Sequence, residues 1–276
     1  MVRVASGSIA AGRELPARTL RHVRVGRVPV FAGPAGAALD ECLARIASGQ
    51  GGRVATANLD FLAIARRDGE ARALIESCDL VVADGAPVAW LARLVARSPV
   101  ERLAGVDLTL EILRAAAPGL RVAMYGGAES ISAAAAAELQ RRFPGVRIVL
   151  RRCPPYRVLT APETEEDLRA MREARPDLVL VALGFPRQER LMAEYRPSAP
   201  NALWLGIGGT FDFIAGKRVR APGALQALGM EWLVRLAQEP GRLWKRYLLR
   251  DLPEAGRAAC EALVARLRGD RQQPLN

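Results

Sequence analysis

The sequence predicts an α/β fold: a doubly wound, mostly parallel sheet followed by a helical appendage. Short β-branched runs alternate with amphipathic stretches from about residue 25 to residue 215, and this alternation is typical of βαβ units. Most of the runs are apolar on both faces, as strands covered by helices on two sides must be. After Ala221-Pro222 the pattern becomes helical throughout. The core is therefore expected to be Rossmann-like.

Individual elements can be assigned in chain order. Strands are predicted at Arg53–Ala57, Leu80–Ala83, Arg121–Tyr125, Val146–Leu150, Leu178–Leu183 and Ala202–Ile207. Helices between them are predicted at Ala37–Ala47, Ala86–Val95, Ser130–Phe143 and Thr164–Ala174. In the appendage, helices are predicted at Gly223–Gln238, Gly241–Arg250 and Glu254–Arg268, with breaks at Glu239-Pro240 and Leu252-Pro253 because proline disrupts a helix.

These elements divide the chain into four parts. We expect a basic N-terminal extension over residues 1–24 and an α/β catalytic core over residues 25–221. A helical, membrane-proximal appendage is expected over residues 222–268 and a frayed tail over residues 269–276. No internal repeat is apparent.

Composition excludes several classes of protein. The chain has 276 residues, half of them apolar, which is enough to bury a large core. Four dispersed cysteines without C-x-x-C spacing argue against a disulfide frame or a zinc site. His22 is the single histidine, and its position in a basic N-terminal stretch argues against a Ser-His-Asp triad. Aromatic residues make up only 5%, which argues against nucleic-acid binding through stacked bases.

The chain is strongly basic, with 40 Lys and Arg against 29 Asp and Glu, a formal net charge of +11. All the basic residues except Lys217 and Lys245 are arginine. Arginine suits phosphate because its planar fork stays charged and binds oxyanions in pairs. Genomic base composition explains the overall excess of arginine equally well. Only the placement of individual arginines can therefore indicate whether they bind phosphate.

The N-terminal and C-terminal parts give expectations about membranes. Residues 1–24 carry charges throughout, and no stretch approaches ~20 uncharged apolar residues, so the protein is expected in the cytosol. Trp232, Trp244 and Tyr247 alternate with cations at helical spacing in the appendage. Such helices dock on anionic membranes, and the same cations could close over a pyrophosphate. The alternative is a solvated helix that packs on the sheet through Leu and Trp.

Polar and glycine-rich turns follow the predicted strands. They are Thr56-Ala57-Asn58, Asp84-Gly85, Gly126-Gly127, Gly184 to Glu189, and Gly208-Gly209-Thr210. In such sheets ligands bind outside the carboxyl ends of the strands. A glycine turn that leads into a helix exposes N–H groups that hold phosphate, although any parallel α/β protein also needs glycine there for steric reasons.

Asp84 is the clearest candidate for a catalytic residue. It follows the apolar run Leu80–Ala83 directly and precedes Gly85, so its carboxylate is expected at the edge of the sheet. There it could act as a general base if burial raised its pKa. The alternative is that Asp84 caps the N-terminus of the following helix.

Two other chemistries fit these turns less well. The turn Gly126-Gly127-Ala128-Glu129-Ser130 departs from Gly-x-Gly-x-x-Gly, and the next strand ends in Arg151-Arg152 rather than an acidic residue. An NADP-linked oxidoreductase is therefore disfavoured but stays open, as does a non-catalytic nucleotide-binding protein. No Asp-x-Asp occurs in the chain, so we expect no metal, and arginines would take its place.

Many short motifs occur in a fixed order along residues 25–250. They are Thr56-x-Asn58, Ala83-Asp84-Gly85, Glu101-Arg102-x-x-Gly105-x-Asp107, Tyr125-Gly126-Gly127, Gly184-x-Pro186-Arg187-Gln188-Glu189, Gly206-x-Gly208-Gly209-x-Phe211-Asp212, Arg220-Ala221-Pro222, Glu231-Trp232-x-x-Arg235-Leu236 and Glu239-Pro240-x-Arg242. Motifs of this number in this order resemble the WecG/TagA/CpsF glycosyltransferase family.

The resemblance implies an inverting, metal-independent transfer that needs no cofactor. The donor would be a UDP-sugar of the N-acetylmannosamine, N-acetylmannosaminuronic acid, glucose or glucuronic acid type. The acceptor would be a polyprenyl-diphosphate-linked glycan in cell-surface or exopolysaccharide assembly. Such an enzyme would be peripheral on the inner face of the cytoplasmic membrane and would bind no nucleic acid. Its exposed apolar appendage would favour self-association as a homo-oligomer when no membrane is present.

Carried onto this chain, the resemblance makes Asp84 the catalytic base and places Thr56 and Gln188 beside the donor sugar. It assigns the loop Gly208–Asp212 to the nucleotide. The C-terminal cations Arg235, Arg242, Lys245 and Arg246 would complete the active site when the appendage docks at the membrane. Further substrate contacts are expected from Asn58, Arg102, Gly126, Gly127, Gly184, Arg187, Glu189, Gly208, Gly209, Thr210 and Asp212. The chain departs from the family pattern at Arg187, Met230 and Pro154-Pro155-Tyr156.

Overall fold

A computed structural model describes residues 20–227 and 229–267. The first element is an antiparallel hairpin of β1 (His22–Val25) and β2 (Val28–Phe31). It was not predicted, and it overlaps the end of the expected extension over residues 1–24. Its four valines are buried against the core, which explains why these short strands are ordered with it. The expected tail over residues 269–276 lies outside the described residues.

Within the described residues the main sheet has six strands, all parallel, in the order β4-β3-β8-β7-β5-β6. The strands are β3 (Gly52–Ala57), β4 (Leu80–Ala83), β5 (Arg121–Gly126), β6 (Arg147–Arg152), β7 (Leu178–Ala182) and β8 (Leu203–Gly206). Every predicted strand is confirmed to within two residues at each end. The doubly wound α/β fold is therefore confirmed.

Helices cover both faces of this sheet. They are α1 (Ala35–Ser48), α2 (Leu59–Arg67), α3 (Gly69–Glu76), α4 (Ala86–Ala96), α5 (Gly105–Ala115), α6 (Glu129–Arg142), α7 (Ala161–Ala174), α8 (Arg187–Tyr195) and α9 (Thr210–Ile214), with a 3-10 turn at Arg196–Ser198. Successive strand residues point to opposite faces. Val82 thus belongs to the core on the face covered by α1, α5, α6 and α9, whereas Val81 belongs to the core on the face that includes α2 and α4.

The chain after residue 222 is helical, as predicted, but it is divided differently. Its elements are α10 (Gly223–Ala227), α11 (Glu231–Gln238), α12 (Pro240–Arg246), a π-helical turn (Tyr247–Asp251) and α13 (Leu252–Leu267). The single helix predicted over 223–238 is wrong, because Gly229 has a left-handed φ of +72° between α10 and α11. A Cβ atom there would lie 2.6 Å from the Trp90 ring, so this close approach requires glycine.

The predicted break at Leu252-Pro253 is also wrong, since helical structure continues from Pro240 to Leu267. Pro253 is the second residue of α13. The π-helical turn before it widens the helix where the proline ring would otherwise meet an earlier carbonyl group. The break at Glu239-Pro240 is confirmed, because α12 begins at Pro240.

The last helix packs firmly on the core. Ala258 and Ala262 of α13 are buried against α4 and α2. The buried carboxylate of Glu254 accepts a hydrogen bond from Arg66 Nε at 2.6 Å, and Arg66 Nη1 lies 2.9 Å from Glu261. Among the described residues, no helix combines the length and the apolar character that crossing a membrane requires.

Candidate active site

A cavity of about 960 Å³ opens at the carboxyl edge of the sheet. The turns after β3, β4, β5, β7 and β8 form one side, and α4, α11, the π-helical turn and α13 form the other. Most of the predicted site residues line it together. These are Thr56, Asn58, Asp84, Arg102, Gly127, Gly184, Gln188, Gly208, Gly209, Thr210, Asp212, Arg235 and Arg246.

The remaining predicted residues lie elsewhere. Gly126 ends β5, where a Cβ atom would lie 2.5 Å from the Ala182 carbonyl oxygen. Arg187 stacks on the exposed ring of Tyr156 at 4.3 Å. Lys245 is exposed above the Trp244 ring at 5.5 Å, and Glu189 is buried behind Gln188. The Arg242 side chain lies outside the described part of the chain.

Asp84 is held by a helix that lies distant in sequence. Its Oδ1 accepts a hydrogen bond of 2.8 Å from the N–H of Gly105, the first residue of α5. The helix that follows Asp84 is instead capped by Gly85 without a side-chain hydrogen bond. The capping alternative raised from the sequence is therefore wrong for α4, because the carboxylate turns towards the positive end of α5.

The surroundings of Asp84 suit a proton acceptor. Burial raises the pKa of its carboxyl group above the usual value. The Gly105 N–H and the positive charges of Arg235 and Arg102 lower that pKa in part, and the negative charge of Glu231 raises it. The net effect is an upward pKa shift, which strengthens the carboxylate as a base.

Gln188 joins two of the strand-end turns. Its Oε1 accepts hydrogen bonds from the N–H groups of Gly184 and Gly208, at 3.2 and 3.1 Å. A Cβ atom on Gly206 would lie 2.7 Å from Gln188 Nε2, so glycine is required there. The Gly206 carbonyl oxygen accepts a hydrogen bond of 2.8 Å from the Thr56 hydroxyl. Both predicted sugar-side residues thus hold the turns that shape the cavity.

Glu189 fixes the orientation of that amide. Its Oε1 accepts a hydrogen bond of 2.8 Å from Gln188 Nε2, so Gln188 must present Oε1 to the two turns. Burial raises the pKa of Glu189 to about 7. Its Oε2 is buried and has no hydrogen-bond partner among the described residues.

An ion-pair network connects the appendage to the core beside Asp84. Arg102 Nη1 lies 2.7 Å from Glu231 Oε2 at the start of α11. Arg220 pairs with Asp107 of α5, and its Nε lies 3.8 Å from Glu231 Oε1. Asp107, Arg220 and Glu231 were not assigned to the site from the sequence. The signal in the sequence that could have identified them is that residues of opposite charge occur within the motifs quoted above.

A second ion pair holds the other end of α11. Arg218 lies 2.8 Å from Glu239 and 3.8 Å from Asp212. No residue of α11 is buried, so these ion pairs contribute to holding its cavity-lining Arg235 in place. Lys217 also lines the cavity, so phosphate groups could be held on this side. Within residues 20–227 and 229–267, no three His, Cys, Asp or Glu side chains come together in a way that could hold a metal ion.

Arg246 lies on the opposite side and already has acidic partners. It is 3.5 Å from Asp60 and 3.4 Å from Asp251. Burial is the main reason that the pKa of Asp251 is raised to about 6. Arg246 therefore closes the wall between α2 and the π-helical turn as well as facing the cavity.

Comparison with known proteins agrees with this geometry. Residues 23–268 match the model of the glycosyl transferase WecG/TagA/CpsF family. An N-acetylglucosaminyldiphosphoundecaprenol N-acetyl-beta-D-mannosaminyltransferase of Bacillus spizizenii is 32% identical over 72% of this chain and 76% of its own length. The enzyme of the same name from Bacillus subtilis is 30% identical over 72% of this chain and 75% of its own.

These matches favour a transferase over the oxidoreductase and the non-catalytic nucleotide binder that the sequence left open. The motifs on which the resemblance depends are also those that line the cavity or hold its walls. The chain therefore belongs to the WecG/TagA/CpsF family of glycosyltransferases.

Proposed function

We propose that this protein transfers a sugar from a UDP-sugar to a polyprenyl-diphosphate-linked glycan, with inversion and without a metal ion. The observation that carries the proposal is Asp84, which lines the cavity, accepts a hydrogen bond from the Gly105 N–H and has a raised pKa, as a general base would need. The named relatives use a diphosphoundecaprenol-linked acceptor, which supports the same acceptor class here. The reaction would serve the assembly of a cell-surface polysaccharide.

The mechanism is a single displacement. Asp84 removes the proton from an acceptor hydroxyl group, and the oxygen attacks the anomeric carbon of the donor. The bond from that carbon to the diphosphate oxygen breaks, and its electron pair leaves with UDP. Because attack comes from the face opposite the leaving group, the configuration at the anomeric carbon inverts.

The negative charge that grows on the leaving diphosphate needs positive partners. Lys217 and Arg235 line the same cavity as the turn at Gly208-Gly209. Donors positioned before the reaction are usually the largest catalytic contribution, and losing one costs ~10²–10³ in rate. These cations support the proposed metal-independent route.

We place the enzyme on the inner face of the cytoplasmic membrane as a peripheral protein. The appendage exposes Trp232, Trp244, Leu248 and Leu249 beside the exposed Lys245. Aromatic and aliphatic side chains mixed with cations favour binding to the surface of an anionic membrane. A lipid-linked acceptor would be available to the cavity there.

The donor sugar is the least constrained part of the proposal. A few contacts in the pocket decide between sugars of similar size. The named relatives transfer an N-acetylmannosaminyl group, so UDP-N-acetylmannosamine is the first donor to test. N-acetylmannosaminuronic acid, glucose and glucuronic acid follow.

The test is Asp84→Asn. The Asn oxygen can still accept the Gly105 N–H, so the turn should keep its shape while the base is lost. We expect transfer to fall by at least ~10², as for the loss of a general base, while thermal stabilisation by the UDP-sugar persists. Transfer is measured as UDP released in the presence of acceptor.

The matched control is Asp40→Asn, an exposed carboxylate on α1 away from the cavity. It should transfer sugar at the unaltered rate. Near-normal turnover of Asp84→Asn would remove Asp84 from the role of base and contradict the proposal.

A further inference from the structure

The cavity extends beyond the polar turns into an apolar groove. One wall is the inner side of α4, and the other is the π-helical turn and the first half of α13. We call this part the α4–α13 groove. Its lining residues are Trp90, Leu91, Leu94, Leu248, Leu252, Ala255, Gly256 and Ala259.

The groove runs away from the catalytic carboxylate. Helix α4 begins just after Asp84 and Gly85, and its residues from Ala86 to Leu94 line the cavity at intervals. At 1.5 Å per residue these eight steps cover roughly 12 Å. A ligand bound along this wall would therefore reach from the edge of the sheet to the outside of the molecule.

The outer rim of the groove is apolar and open. Trp90 is 51% exposed, Leu248 is 50% exposed and Leu252 is 60% exposed. Large apolar side chains grouped at the mouth of a cavity mark a binding site rather than an idle surface. Their ligand must itself be apolar, because the lining offers mainly carbon atoms there.

We propose that the α4–α13 groove binds the first isoprenoid units of the acceptor lipid and so directs its diphosphate-linked sugar to Asp84. The inference rests on the proposed function, which supplies a polyprenyl-diphosphate acceptor. A UDP-sugar has no long apolar part to bury, whereas the acceptor has one. The groove is continuous with the cavity that contains Asp84, so one molecule can occupy both.

Charge at the inner end of the groove agrees with this occupant. Arg246 lines the cavity between Asp60 and the π-helical turn. Arg235 lines it from α11. A lipid diphosphate lying between the apolar groove and Asp84 would meet Arg246 at the point where its chain becomes polar, whereas Arg235 is assigned to the diphosphate of the donor.

Gly256 offers a direct way to block the groove. It lines the cavity, and a Cβ atom built on it meets no described atom within 4 Å. The first carbon of a larger side chain would therefore enter open space, and the rest of the side chain would extend from the wall of the cavity. Gly241 of α12 is the matched control, since a Cβ atom there also meets nothing within 4 Å in the described part of the chain, but the residue does not line the cavity. Leucine favours helix over glycine at both positions, so both variants should fold.

The experiment compares Gly256→Leu, Gly241→Leu and the unaltered protein on acceptors of different chain length. Three acceptors carry the same N-acetylglucosaminyl diphosphate head on a methyl, an octyl or a polyprenyl group. Each buried methylene changes affinity roughly fourfold. We expect Gly256→Leu to raise KM about tenfold or more for the octyl and polyprenyl acceptors, with KM for the methyl acceptor unaltered. Gly241→Leu should match the unaltered protein throughout.

A second variant guards against an indirect effect of Gly256→Leu. Leu252→Gln changes an exposed rim residue, so the fold should not depend on it, and it should raise KM for the two longer acceptors only. The groove proposal is overturned if neither variant changes KM for those acceptors, or if the unaltered protein uses methyl and octyl acceptors equally well. If the unaltered protein transfers sugar to none of the three, the proposed function itself fails.

Discussion

At the scale of single residues, the buried pair Gln188 and Glu189 determines the shape of the site. The Gln188 amide oxygen binds the N–H groups of two turns, and Glu189 prevents the amide from reversing. Both side chains are almost completely buried. A buried carboxylate with one unpaired oxygen costs folding free energy when it is ionised. Glu189 therefore holds the turns in place but lowers the free energy of unfolding at higher pH, where it is ionised.

The variant Glu189→Gln measures this loss of stability. The pKa of Glu189 rises on folding from its usual 4.5 to about 7. A raised carboxyl pKa means that the folded state binds the proton more tightly, so stability falls as the pH rises from the unfolded to the folded pKa. The shift corresponds to a loss of up to about 3 kcal/mol between pH 4.5 and 7. Glu189→Gln lacks this loss.

Urea unfolding at pH 5 and pH 8 provides the measurement. The free energy of unfolding should fall less between these two pH values in Glu189→Gln than in the unaltered protein. Glu194→Gln, an exposed residue on the same helix, should behave as the unaltered protein does. An identical fall in Glu189→Gln and the unaltered protein would contradict the assignment of a strained carboxylate.

The position of Asp84 could be predicted from the sequence, but its partner could not. An apolar run followed by Asp-Gly is enough to put a carboxylate at the carboxyl end of a strand. The hydrogen bond from Gly105 joins residues 21 apart in sequence, and α5 was not among the predicted helices. Local patterns contain no information on such a contact, because it depends on how separate helices pack.

At the scale of elements, ion pairs hold both ends of α11. No residue of this helix is buried. Glu231 contacts Arg102 at 2.7 Å and Arg220 at 3.8 Å, while Glu239 contacts Arg218 at the other end. Arg235 lies one helical turn after Glu231, so these pairs also help to hold it close enough to affect the pKa of Asp84.

Glu231→Gln should therefore reduce catalysis more than stability. Removing the charge frees Arg102 and Arg220 and loosens the start of α11. A small misplacement of a catalytic group costs up to ~10² in rate, so we expect kcat to fall by about 10 to 100 fold with little change in Tm. Because Glu231 raises the pKa of Asp84, the acid limb of the pH–rate profile should also move to lower pH.

Steady-state kinetics over a range of pH test this expectation. Glu173→Gln removes an exposed carboxylate of α7, 3.9 Å from Arg169, and should leave both kcat and the pH profile unaltered. If Glu231→Gln retains full kcat and its acid limb does not move, Glu231 does not position the site.

The elements that the sequence missed have tertiary causes. The strands β1 and β2 have only four residues each, too few for a clear periodic pattern, and burial against the core orders them. The gap between α10 and α11 depends on the approach of Gly229 to Trp90. In contrast, the parallel strands were predictable because burial on both faces makes them continuously apolar.

At the scale of the whole molecule, the cavity exists only because the appendage packs on the core. The strand-end turns supply Asp84 and the polar side, whereas α11 supplies Arg235 and α13 the apolar side. The sequence predicted the appendage as a separate helical part. The burial of Ala258, Ala262 and Glu254 shows that it also covers core surface.

Removal of residues 222–276 should therefore have two separable effects. The truncated chain keeps its sheet and the helices on both faces, so we expect cooperative unfolding. It should melt at least about 5 °C lower, because α4 loses its cover and Arg66 loses Glu254. It should also transfer no sugar, since Arg235 and the whole wall of the cavity formed by the appendage are absent. Arg235→Ala in the full chain separates the two effects: its rate should fall by ~10²–10³ at an unaltered Tm, because α11 has no buried residue. Calorimetry and transfer to a lipid acceptor measure both proteins. Full activity of the truncated chain would show that the core alone forms the active site and would overturn the role of the appendage.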